Sequence, residues 1–451
     1  MVTTVFLLAA GAATRPSQYV PGRSGGWPSW MAGPFEGLGV GITNGSFQTL
    51  MLIMCASYLL VLLAARTLSA RALVAAIVAA HVILLLGPPL ISQDVFGYLS
   101  FARLGVLHGL DPYTHVAAEA PTDAIFPFVG WPFLHSPYGP LFTLASYATA
   151  PLGLAGGLWA FKAVAVAASL GAIALVAQAA SRLGRSPRWA AAFMGLNPVL
   201  LVLAVGGAHN DTLILLLLAA ALALTAGANP RFRAGAIALV TGVAIKITAG
   251  LALPFLILAP PRARERLLVA SSAGLGLLLL AALGLIGFGT HALSFLGAVG
   301  EQQQLVATHS VPAETARLVG LSGTPSWWRH LFIGAFVVVL AFALWRTARG
   351  ADWRVAAGWT TLALLLSTAW LLPWYVTWAL PLAAVGGDRR LRAATLVFCA
   401  YAVLIHLPLA DPLLSPAGAQ RHPAAVVVGS RHSIYLTRFE VPGHAALDLR
   451  W

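Results

Sequence analysis

The sequence predicts an all-α polytopic membrane protein, a bundle of about twelve (11–13) transmembrane helices. Of its 451 residues, 59% are apolar and only 9% are charged, and the mean hydropathy is +0.84. A soluble chain cannot bury that much apolar surface, so the bilayer must be the solvent of one large bundle. Both cysteines, Cys55 and Cys399, lie inside apolar runs far apart in sequence. This indicates buried thiols, with neither a disulfide nor a metal framework.

Apolar runs recur along the whole chain and define the predicted spans. They lie at 2–13, 46–65, 72–91, 156–181, 189–206, 212–227, 235–260, 267–287, 330–345, 355–372, 375–387 and 393–410. Several are shorter than the ~20 residues that a straight span needs. The first run has no basic residues before it, which argues against a signal peptide. It is interpreted as a short or incomplete first span, from an amino terminus that is truncated or begun late.

Arginine placement divides the loops between the two sides of the membrane. Most of the 27 basic residues lie in short turns between apolar runs. If the runs alternate, one side holds Arg66, Arg71, Arg182, Arg185, Arg188, Arg231, Arg233, Arg262, Arg264, Arg266, Arg346, Arg349, Arg354, Arg389, Arg390 and Arg392. That side is predicted to be cytoplasmic, and the loops 14–45, 92–155 and 288–329 are predicted to face outward. The net charge of +13 therefore indicates topology and no nucleic-acid partner.

Two segments depart from simple alternation. Leu141 to Leu154 is apolar, yet a crossing there would invert every later loop. It is therefore predicted to lie as a juxtamembrane helix on the outer surface. The segment 235–260 begins and ends beside cytoplasmic arginines and contains Lys246, Gly250 and Pro254. It is interpreted as a broken hairpin that turns inside the membrane, where irregular backbone is tolerated only if protein buries it or it lines a cavity.

The chain is predicted to form one membrane module over residues 1–410. The long outer loop 92–155 would carry an interfacial helix, Val95 to Leu107, together with the surface helix described above. The loop 288–329 is a second long outer loop. The more polar tail 411–451 also lies outside by alternation, and no role is assigned to it. The sequence has no Gly-rich nucleotide loop, so a cytosolic nucleotide-sugar or ATP site has no support.

Four charged residues lie inside or beside apolar runs: Asp94, Lys162, Asp211 and Lys246. Charges near hydrocarbon are costly, so each is a candidate functional residue. Each also has a structural interpretation: either carboxylate could cap a helix, Lys162 could extend to the outer headgroups, and Lys246 could form an ion pair. Together they suit an anionic lipid headgroup beside a general base, although transporters contain the same ingredients.

Six short motifs carry a resemblance to a known family. They are Asp94-Val95-Phe96-Gly97-Tyr98, Asp111-Pro112-Tyr113, Ser136-Pro137-Tyr138-Gly139-Pro140, Asn197-Pro198, Gly207-Ala208-His209-Asn210-Asp211 and Leu372-Pro373-Trp374-Tyr375. In this order, over residues 46–405, the chain resembles actinobacterial polyprenol-phosphate-mannose-dependent α-(1→6)-mannosyltransferases of the GT-C superfamily. The resemblance implies a GT-C-type bundle in the bacterial plasma membrane, with chemistry at the outer face.

The resemblance also implies an inverting glycosyltransferase, with a polyprenyl-phosphate-mannose donor and a growing mannan of lipomannan type as acceptor. Asp94 would be the catalytic carboxylate that accepts the proton of the acceptor hydroxyl. Nearby cations would stabilise the departing phosphate. The candidate phosphate ligands are Lys162, Lys246 and Arg103, and the candidate sugar-binding residues are Tyr98, Tyr138, His209, Asn210, Asp211 and Trp374. No metal-ligand cluster stands out, so no metal is predicted to be required, and a divalent cation is the open alternative.

Two other functions stay open from the sequence alone. A GT-C enzyme of another linkage or sugar, such as an α-(1→2)-mannosyl- or arabinofuranosyltransferase, would be separated only by its product. A lipid-linked sugar transporter or flippase would be expected to contain inverted repeats. None is evident in the sequence, and the long asymmetric outer loops favour an enzyme.

Overall fold

A computed structural model describes residues 1–14 and 28–405. Part of the loop 14–45 and the predicted tail 411–451 lie outside the described residues. Within the described residues, all regular secondary structure is helical, as the apolar runs predict.

Nine α-helices form the first half of the described chain. They are α1 (Val2–Ala12), α2 (Ser29–Ala32), α3 (Asn44–Ala64), α4 (Ala70–Leu86), α5 (Asp94–Leu107), α6 (Pro140–Tyr147), α7 (Gly153–Arg182), α8 (Pro187–Gly195) and α9 (Asp211–Leu224). A π-helix, Val199–Val205, lies between α8 and α9. Short 3₁₀ turns lie at Gly33–Phe35, Ala117–Glu119, Phe126–Phe128 and Ala150–Leu152.

Nine further α-helices complete the described chain. They are α10 (Phe232–Val243), α11 (Leu253–Leu258), α12 (Ala263–Phe288), α13 (Ser294–Gln303), α14 (Val311–Leu318), α15 (Ser326–Ala348), α16 (Trp353–Ser367), α17 (Leu380–Gly386) and α18 (Arg389–Leu404). Their 3₁₀ segments are Ile247–Ala252, Gly289–Leu293 and Pro373–Ala379.

Helix starts follow ordinary capping chemistry. The Ser69 hydroxyl accepts a hydrogen bond from Ala72 N at the start of α4, and Ser186 accepts one from Trp189 N at the start of α8. The carboxylates of Asp352 and Asp388 do the same for α16 and α18. These side chains satisfy backbone donors that the first helical turn leaves unpaired.

The number of helices that could cross a membrane is smaller than predicted. In the described residues, four helical stretches are long and apolar enough: Gly45–Ala64, Pro140–Arg182, Ala263–Gln303 and Ser326–Ala348. The pair α8 and Val199–Val205, bent by 49°, makes a fifth if it is one span. Other apolar helices, such as α1, α4 and α9, have fewer than 18 residues and are shorter than a straight span requires. The count of about twelve is therefore not confirmed.

The long helices expose large apolar side chains, as expected for helices that contact lipid. Leu278 and Ile286 on α12 are 69% and 85% exposed, and Val338 on α15 is 68% exposed. Such apolar faces are unfavourable in water and suited to lipid. The opposite situation holds for α7, which packs against α4, α5, α8 and α9 at the centre of the bundle.

Small residues allow α7 to occupy that central position. Its buried face includes Ala165, Ala168, Ser169 and Ala172. Small side chains let helix backbones approach closely where no hydrophobic effect drives association in lipid. The Ser169 hydroxyl also lies 2.9 Å from Nε2 of His81, which gives the α4–α7 contact a buried polar link.

The two groups of loops separate as arginine placement predicts. Arg188 Nη1 donates to Leu68 O, and Arg266 Nη2 donates to Ala348 O, so arginine-rich turns meet one another. At the other end, His135 lies 3.2 Å from Glu301 and links the loop 92–155 to the loop 288–329. The bundle therefore has an arginine-rich end and a long-loop end.

The predicted irregular segments are present, with differences in detail. Within residues 235–260, the chain is interrupted between α10 and α11. These two helices pack against each other on either side of the Ile247–Ala252 turn. The surface helix, predicted over Leu141 to Leu154, is α6 and ends at Tyr147. The predicted interfacial helix is α5, but most of its residues are buried because α6 and α7 pack on it.

Candidate active site

Two loops meet at the long-loop end and carry the principal site residues. Leu90 N donates to Gly206 O at 2.9 Å, which joins the segment before α5 to the segment before α9. Each segment contains a non-glycine residue in the left-handed region: Ile91 has a φ of 64° and Ala208 a φ of 54°. A β-branched residue such as Ile91 pays a steric cost there. Such strain is typical of segments that hold functional side chains in a set geometry.

An unusual helix directly precedes the segment that contains Ala208. Val199–Val205 is a π-helix, fully buried, and the hydrogen bond of His209 N to Ala204 O continues its wide spacing. It follows Asn197-Pro198, where the proline ring removes a backbone donor and ends α8. Asn197 Oδ1 accepts a hydrogen bond from Val199 N, the first residue of the π-helix, at 2.9 Å. Wide helical turns of this kind are frequent at functional sites.

The carboxylate of Asp94 faces the imidazole of His209. Oδ2 of Asp94 lies 3.2 Å from Nδ1 of His209, within ion-pair distance but without hydrogen-bond alignment. The His209 ring stacks on the indole of Trp374, with 3.8 Å between ring centroids. His209 is fully buried and the Asp94 side chain is 13% exposed. The carboxylate is thus the more accessible end of a buried column of three side chains.

Several buried polar atoms around this column have no protein partner. In the described residues, both ring nitrogens of His209, Nδ2 of Asn210, Nε1 of Trp374 and Oγ of Ser136 are buried without a hydrogen bond. A buried polar group without a partner is rare and costly, so such groups usually serve a ligand, an ion or water. Two of these residues, His209 and Trp374, belong to the column that ends at Asp94, which makes this column a candidate site for a polar ligand.

Asp211 and Lys246 form a buried ion pair. Nζ of Lys246 lies 3.0 and 3.1 Å from the two carboxylate oxygens of Asp211. Trp378 Nε1 donates to the same carboxylate at 2.7 Å. The Lys246 ammonium also lies 4.6 Å from the ring centroid of Tyr375. The sequence left open an ion pair for Lys246 and a helix cap for Asp211. In the structure Lys246 forms an ion pair with Asp211, and the Asp211 side chain does not cap α9.

The Asp94 side chain does not cap a helix either. It is the first residue of α5, and its backbone N–H donates to Ser92 Oγ at 3.2 Å. Asp94 and Asp211 therefore both stand in the first turn of a helix, where the positive end of the helix dipole favours a carboxylate.

The Ser136–Pro140 turn positions the broken hairpin. Gly139 N donates to Ile245 O at 2.9 Å, and Leu141 N donates to Ala244 O at 3.1 Å. A Cβ at Gly139 would lie 2.3 Å from the Ala244 carbonyl oxygen, so only glycine allows this approach. The turn thus fixes the backbone directly before Lys246.

The predicted tyrosines are buried in an aromatic cluster. Tyr98 packs edge-on against Tyr138 and Phe142, with centroid distances of 5.1 and 5.2 Å. Its hydroxyl bridges Asn210, donating to Oδ1 and accepting from the backbone N–H at 3.3 Å each. Tyr98 is 1% exposed and Tyr138 is 8% exposed. Tyr98 therefore helps to hold the His209–Asp211 turn in place. Stacking of Tyr98 and Tyr138 on sugars remains a prediction.

Two predicted phosphate ligands are engaged elsewhere in the fold. Lys162 is buried and donates to Leu84 O at 2.8 Å, so it does not extend to the headgroups. Arg103 Nε pairs with Asp123 at 2.8 Å, nine residues along α5 from Asp94. At 1.5 Å per residue this is about 14 Å away. Burial raises the pKa of Asp123, but hydrogen bonds from Arg103, Ile125 N and His108 outweigh burial and hold it below its usual value.

The acidic residues of the outer loops are dispersed. Asp111 lies 3.2 Å from His291, and Asp123 binds Arg103 and His108. Within residues 1–14 and 28–405, no group of three or more His, Cys, Asp or Glu side chains could hold a metal ion. Whether transfer needs a metal stays a prediction.

Sequence reasoning missed two members of the site. Tyr375 and Trp378 flank the Asp211–Lys246 pair and stack on each other with 4.3 Å between centroids. The aromatic spacing of Trp374, Tyr375 and Trp378 along the Pro373–Ala379 turn was the available signal. Aromatic residues also gather at membrane interfaces without a ligand, so this spacing alone does not identify a site.

An open cleft of about 450 Å³ lies between the two long outer loops. Its lining includes Tyr113 and His135 from one loop and Glu301 and Gln304 from the other. The Tyr113 hydroxyl donates to Tyr138 O at 2.9 Å, which connects the cleft wall to the aromatic cluster.

Comparisons with known proteins point to one family. Residues 2–262 match the family model described as Alpha-(1->6)-mannopyranosyltransferase, N-terminal domain, and residues 318–429 match the MptB C-terminal domain. The Alpha-(1->6)-mannopyranosyltransferase A of Mycobacterium tuberculosis is 30% identical over 356 residues, 72% of this chain and 67% of the relative. The protein of the same name from Corynebacterium glutamicum is 30% identical over 178 residues, 39% of this chain and 36% of the relative. No solved structure matches the chain.

Proposed function

Because the chain belongs to the alpha-(1->6)-mannopyranosyltransferase family and is a mannosyltransferase, we propose that it extends an α-(1→6)-mannan at the outer membrane face. The donor is polyprenyl-phosphate-mannose, and the acceptor is a growing mannan of lipomannan or lipoglycan type. Asp94 is the general base, and the reaction inverts the configuration at the transferred sugar.

The proposed reaction is a single in-line displacement. The acceptor hydroxyl oxygen attacks C1 of the donor mannose while the bond from C1 to the phosphate oxygen breaks. Polyprenyl phosphate leaves with the bonding electron pair, and Asp94 accepts the proton of the hydroxyl. A β-linked donor thereby yields an α-linked product with no covalent enzyme intermediate. A hydroxyl is a weak nucleophile, so a positioned base is the principal requirement.

One observation carries this proposal: Asp94 is a partly exposed carboxylate set among buried polar atoms that have no protein partner. His209 orients the carboxylate, with Nδ1 3.2 Å from it. The unpartnered donors on Asn210 and Trp374 then bind sugar hydroxyls or phosphate oxygens. Preformed donors of this kind stabilise charge that develops in the transition state.

Lys246 is the proposed cation for the departing phosphate. It is 13% exposed, and its ammonium group has three N–H donors, of which the Asp211 carboxylate occupies two. The third can reach an incoming phosphate oxygen. Lys162 and Arg103 remain weaker candidates: Lys162 is almost fully buried, and Arg103 lies about 14 Å along α5 from Asp94 in an ion pair with Asp123.

The acceptor is proposed to approach through the cleft between the outer loops. Its mixture of His135, Glu301 and Gln304 offers both donors and acceptors to sugar hydroxyls. We propose further that transfer needs no metal, because charge stabilisation comes from Lys246 and the neutral donors. Activity that survives EDTA would agree with this, and activity that returns only with added Mg²⁺ or Mn²⁺ would contradict it.

The experiment is transfer by the purified full-length protein in detergent. Polyprenyl-phosphate-mannose and a short α-(1→6)-mannoside are supplied, and the product is analysed for its linkage. Asp94→Asn is expected to lower kcat roughly 10²- to 10⁴-fold. Glu265→Gln is the matched control, because Glu265 is an exposed carboxylate that pairs with Arg262 at the arginine-rich end.

The outcomes separate the alternatives. An α-(1→6)-linked product that depends on Asp94 supports the proposal. A product of another linkage or sugar identifies a different glycosyltransferase on the same fold. Undiminished transfer by Asp94→Asn would contradict the base assignment, and counterflow of labelled lipid-linked sugar in proteoliposomes without any transfer would favour a transporter.

A further inference from the structure

A second site lies at the arginine-rich end of the bundle. A pocket of about 760 Å³ opens there, and its lining includes Arg66, Arg185, Arg188, Arg389, Arg392 and Trp189. These residues come from three turns that are far apart in the sequence. The lining contains five arginines and no carboxylate.

The pocket is separate from the Asp94 site. Arg188 Nη1 donates to Leu68 O, directly before α4 begins at Ala70. Asp94 follows the other end of the same helix, which ends at Leu86. A helix of 17 residues spans about 25 Å, so the two sites lie at opposite ends of the bundle.

The guanidinium groups lie near enough to one another to repel, and the pocket lining itself supplies no carboxylate. Arg392 stacks over Trp189 at 4.5 Å and donates from Nε to Ala383 O at 3.2 Å. The positive charges of Arg185, Arg66 and Arg389 lie near enough to Arg392 to repel it. Such a concentration of like charge is unfavourable unless an anion compensates it.

The two carboxylates that act on the pocket arginines, Asp388 and Asp352, are already engaged in other contacts. Asp388 accepts from Arg390 N at 2.8 Å as the cap of α18, and from Trp359 Nε1 at 3.0 Å. Nη1 of Arg185 is buried and has no hydrogen-bond partner in the described residues. Gly387 makes room for this group, because a Cβ there would lie 2.5 Å from Arg185 Nη2.

Topology alone does not require this arrangement. Other arginines at the same end find partners within the chain: Arg354 pairs with Asp352 at 2.9 Å, and Arg262 pairs with Glu265 at 3.1 Å. A positive-inside signal needs arginines in the turns, but not around one cavity. The pocket therefore calls for a ligand that has several negatively charged oxygens.

From this geometry we infer that the arginine-lined pocket binds a phosphate group, supplied either by the headgroup of an anionic membrane lipid or by a free phosphate compound. Guanidinium groups match phosphate oxygens with paired N–H donors. Basic pockets between membrane helices are known to take anionic headgroups.

The test uses the purified, delipidated full-length protein with two probes. One is dioleoylphosphatidylglycerol, with dioleoylphosphatidylcholine as the uncharged comparison, and native mass spectrometry counts retained lipids. The other is inorganic phosphate against chloride at equal ionic strength, and isothermal titration measures its binding. Arg185→Ala/Arg392→Ala is expected to weaken binding at least about tenfold, since several charge-assisted hydrogen bonds are lost.

Two further variants keep the test decisive. Arg66 and Arg389 are exposed and make no hydrogen bond or ion pair to a described residue, so Arg66→Ala/Arg389→Ala preserves folding and should also weaken binding. Arg264→Ala/Arg346→Ala removes the same charge from exposed positions outside the pocket and should leave binding unchanged. Selective retention of phosphatidylglycerol identifies a lipid source, and phosphate binding alone identifies a free phosphate. If neither probe binds, or if all three variants behave alike, the inference is wrong.

Discussion

Nδ1 of His209 lies 3.2 Å from Oδ2 of Asp94, although the two residues belong to loops far apart in the chain. The Leu90–Gly206 backbone hydrogen bond brings those loops together. Trp374 then confines the imidazole from its other face, with 3.8 Å between ring centroids. We therefore propose that His209 positions the Asp94 carboxylate, and a positioning residue should affect the kinetics differently from a substrate ligand.

His209→Phe tests this positioning role. Phenylalanine keeps a ring that can stack on Trp374 but removes both nitrogens. The imidazole nitrogen that faces Asp94 at 3.2 Å is lost, and catalysis is sensitive to small displacements of a reacting group, so kcat should fall at least about tenfold while the donor KM changes little. Steady-state kinetics with varied donor concentration measure the split. A raised donor KM with an unchanged kcat would instead identify His209 as a donor ligand.

Gly207→Ala should disturb the same imidazole from the backbone side. A Cβ at Gly207 would lie 2.6 Å from the ring of His209, which cannot move freely because Trp374 covers it. Transfer activity should fall at least about tenfold, in line with the sensitivity of catalysis to small displacements. Gly274→Ala is the control, because a Cβ there meets nothing within 4 Å. It should keep full activity, and equal effects of both substitutions would argue against the imidazole displacement.

The buried Asp211–Lys246 pair allows a double-mutant cycle. Removing one partner of a buried ion pair costs about 3–5 kcal/mol, whereas replacing both partners can be nearly neutral. Asp211→Asn and Lys246→Met should each lower the free energy of unfolding, and the combined variant should recover most of the loss. Chemical denaturation in detergent measures the coupling.

Activity in the same cycle separates structure from catalysis. If Lys246 contacts the departing phosphate, the combined variant stays slow although its stability has recovered. If activity returns together with stability, Lys246 serves only the fold, and the phosphate must be stabilised by the neutral donors near His209.

Helix positions could be predicted because apolar runs report burial in lipid directly. Their interruptions were harder to predict. The run 189–206 is predominantly apolar, yet Asn197-Pro198 divides it into α8 and a π-helix, with a bend of 49° between them. The break in 235–260 was predictable, because Lys246 and Pro254 are incompatible with a simple span between two cytoplasmic turns.

Site residues could be singled out by their cost near hydrocarbon, but their partners could not. Lys246 could bind a phosphate oxygen or a carboxylate oxygen, and the sequence does not say which one lies within reach. Its partner Asp211 is 35 residues away in sequence, so their contact could not be predicted. The approach of Asp94 to His209 depends on the Leu90–Gly206 bridge and on strained backbone at Ile91 and Ala208. Neither feature has a signature in residue type.

The Arg103–Asp123 pair provides the last prediction, which concerns pH. Hydrogen bonds from Arg103 and His108 hold the pKa of Asp123 below its usual value of about 3.9 in spite of burial. A carboxyl group with a depressed folded-state pKa stabilises the fold above its unfolded pKa, and this contribution is lost as pH falls through the folded pKa. Arg103→Gln should therefore lower the unfolding temperature at pH 7, and the difference from the parent protein should shrink below about pH 4. Asp123→Asn should show the same convergence.

The donor KM should be unchanged in Arg103→Gln, because Arg103 lies along α5 from Asp94 and already binds Asp123. A large increase in donor KM at unchanged stability would assign Arg103 to the phosphate instead.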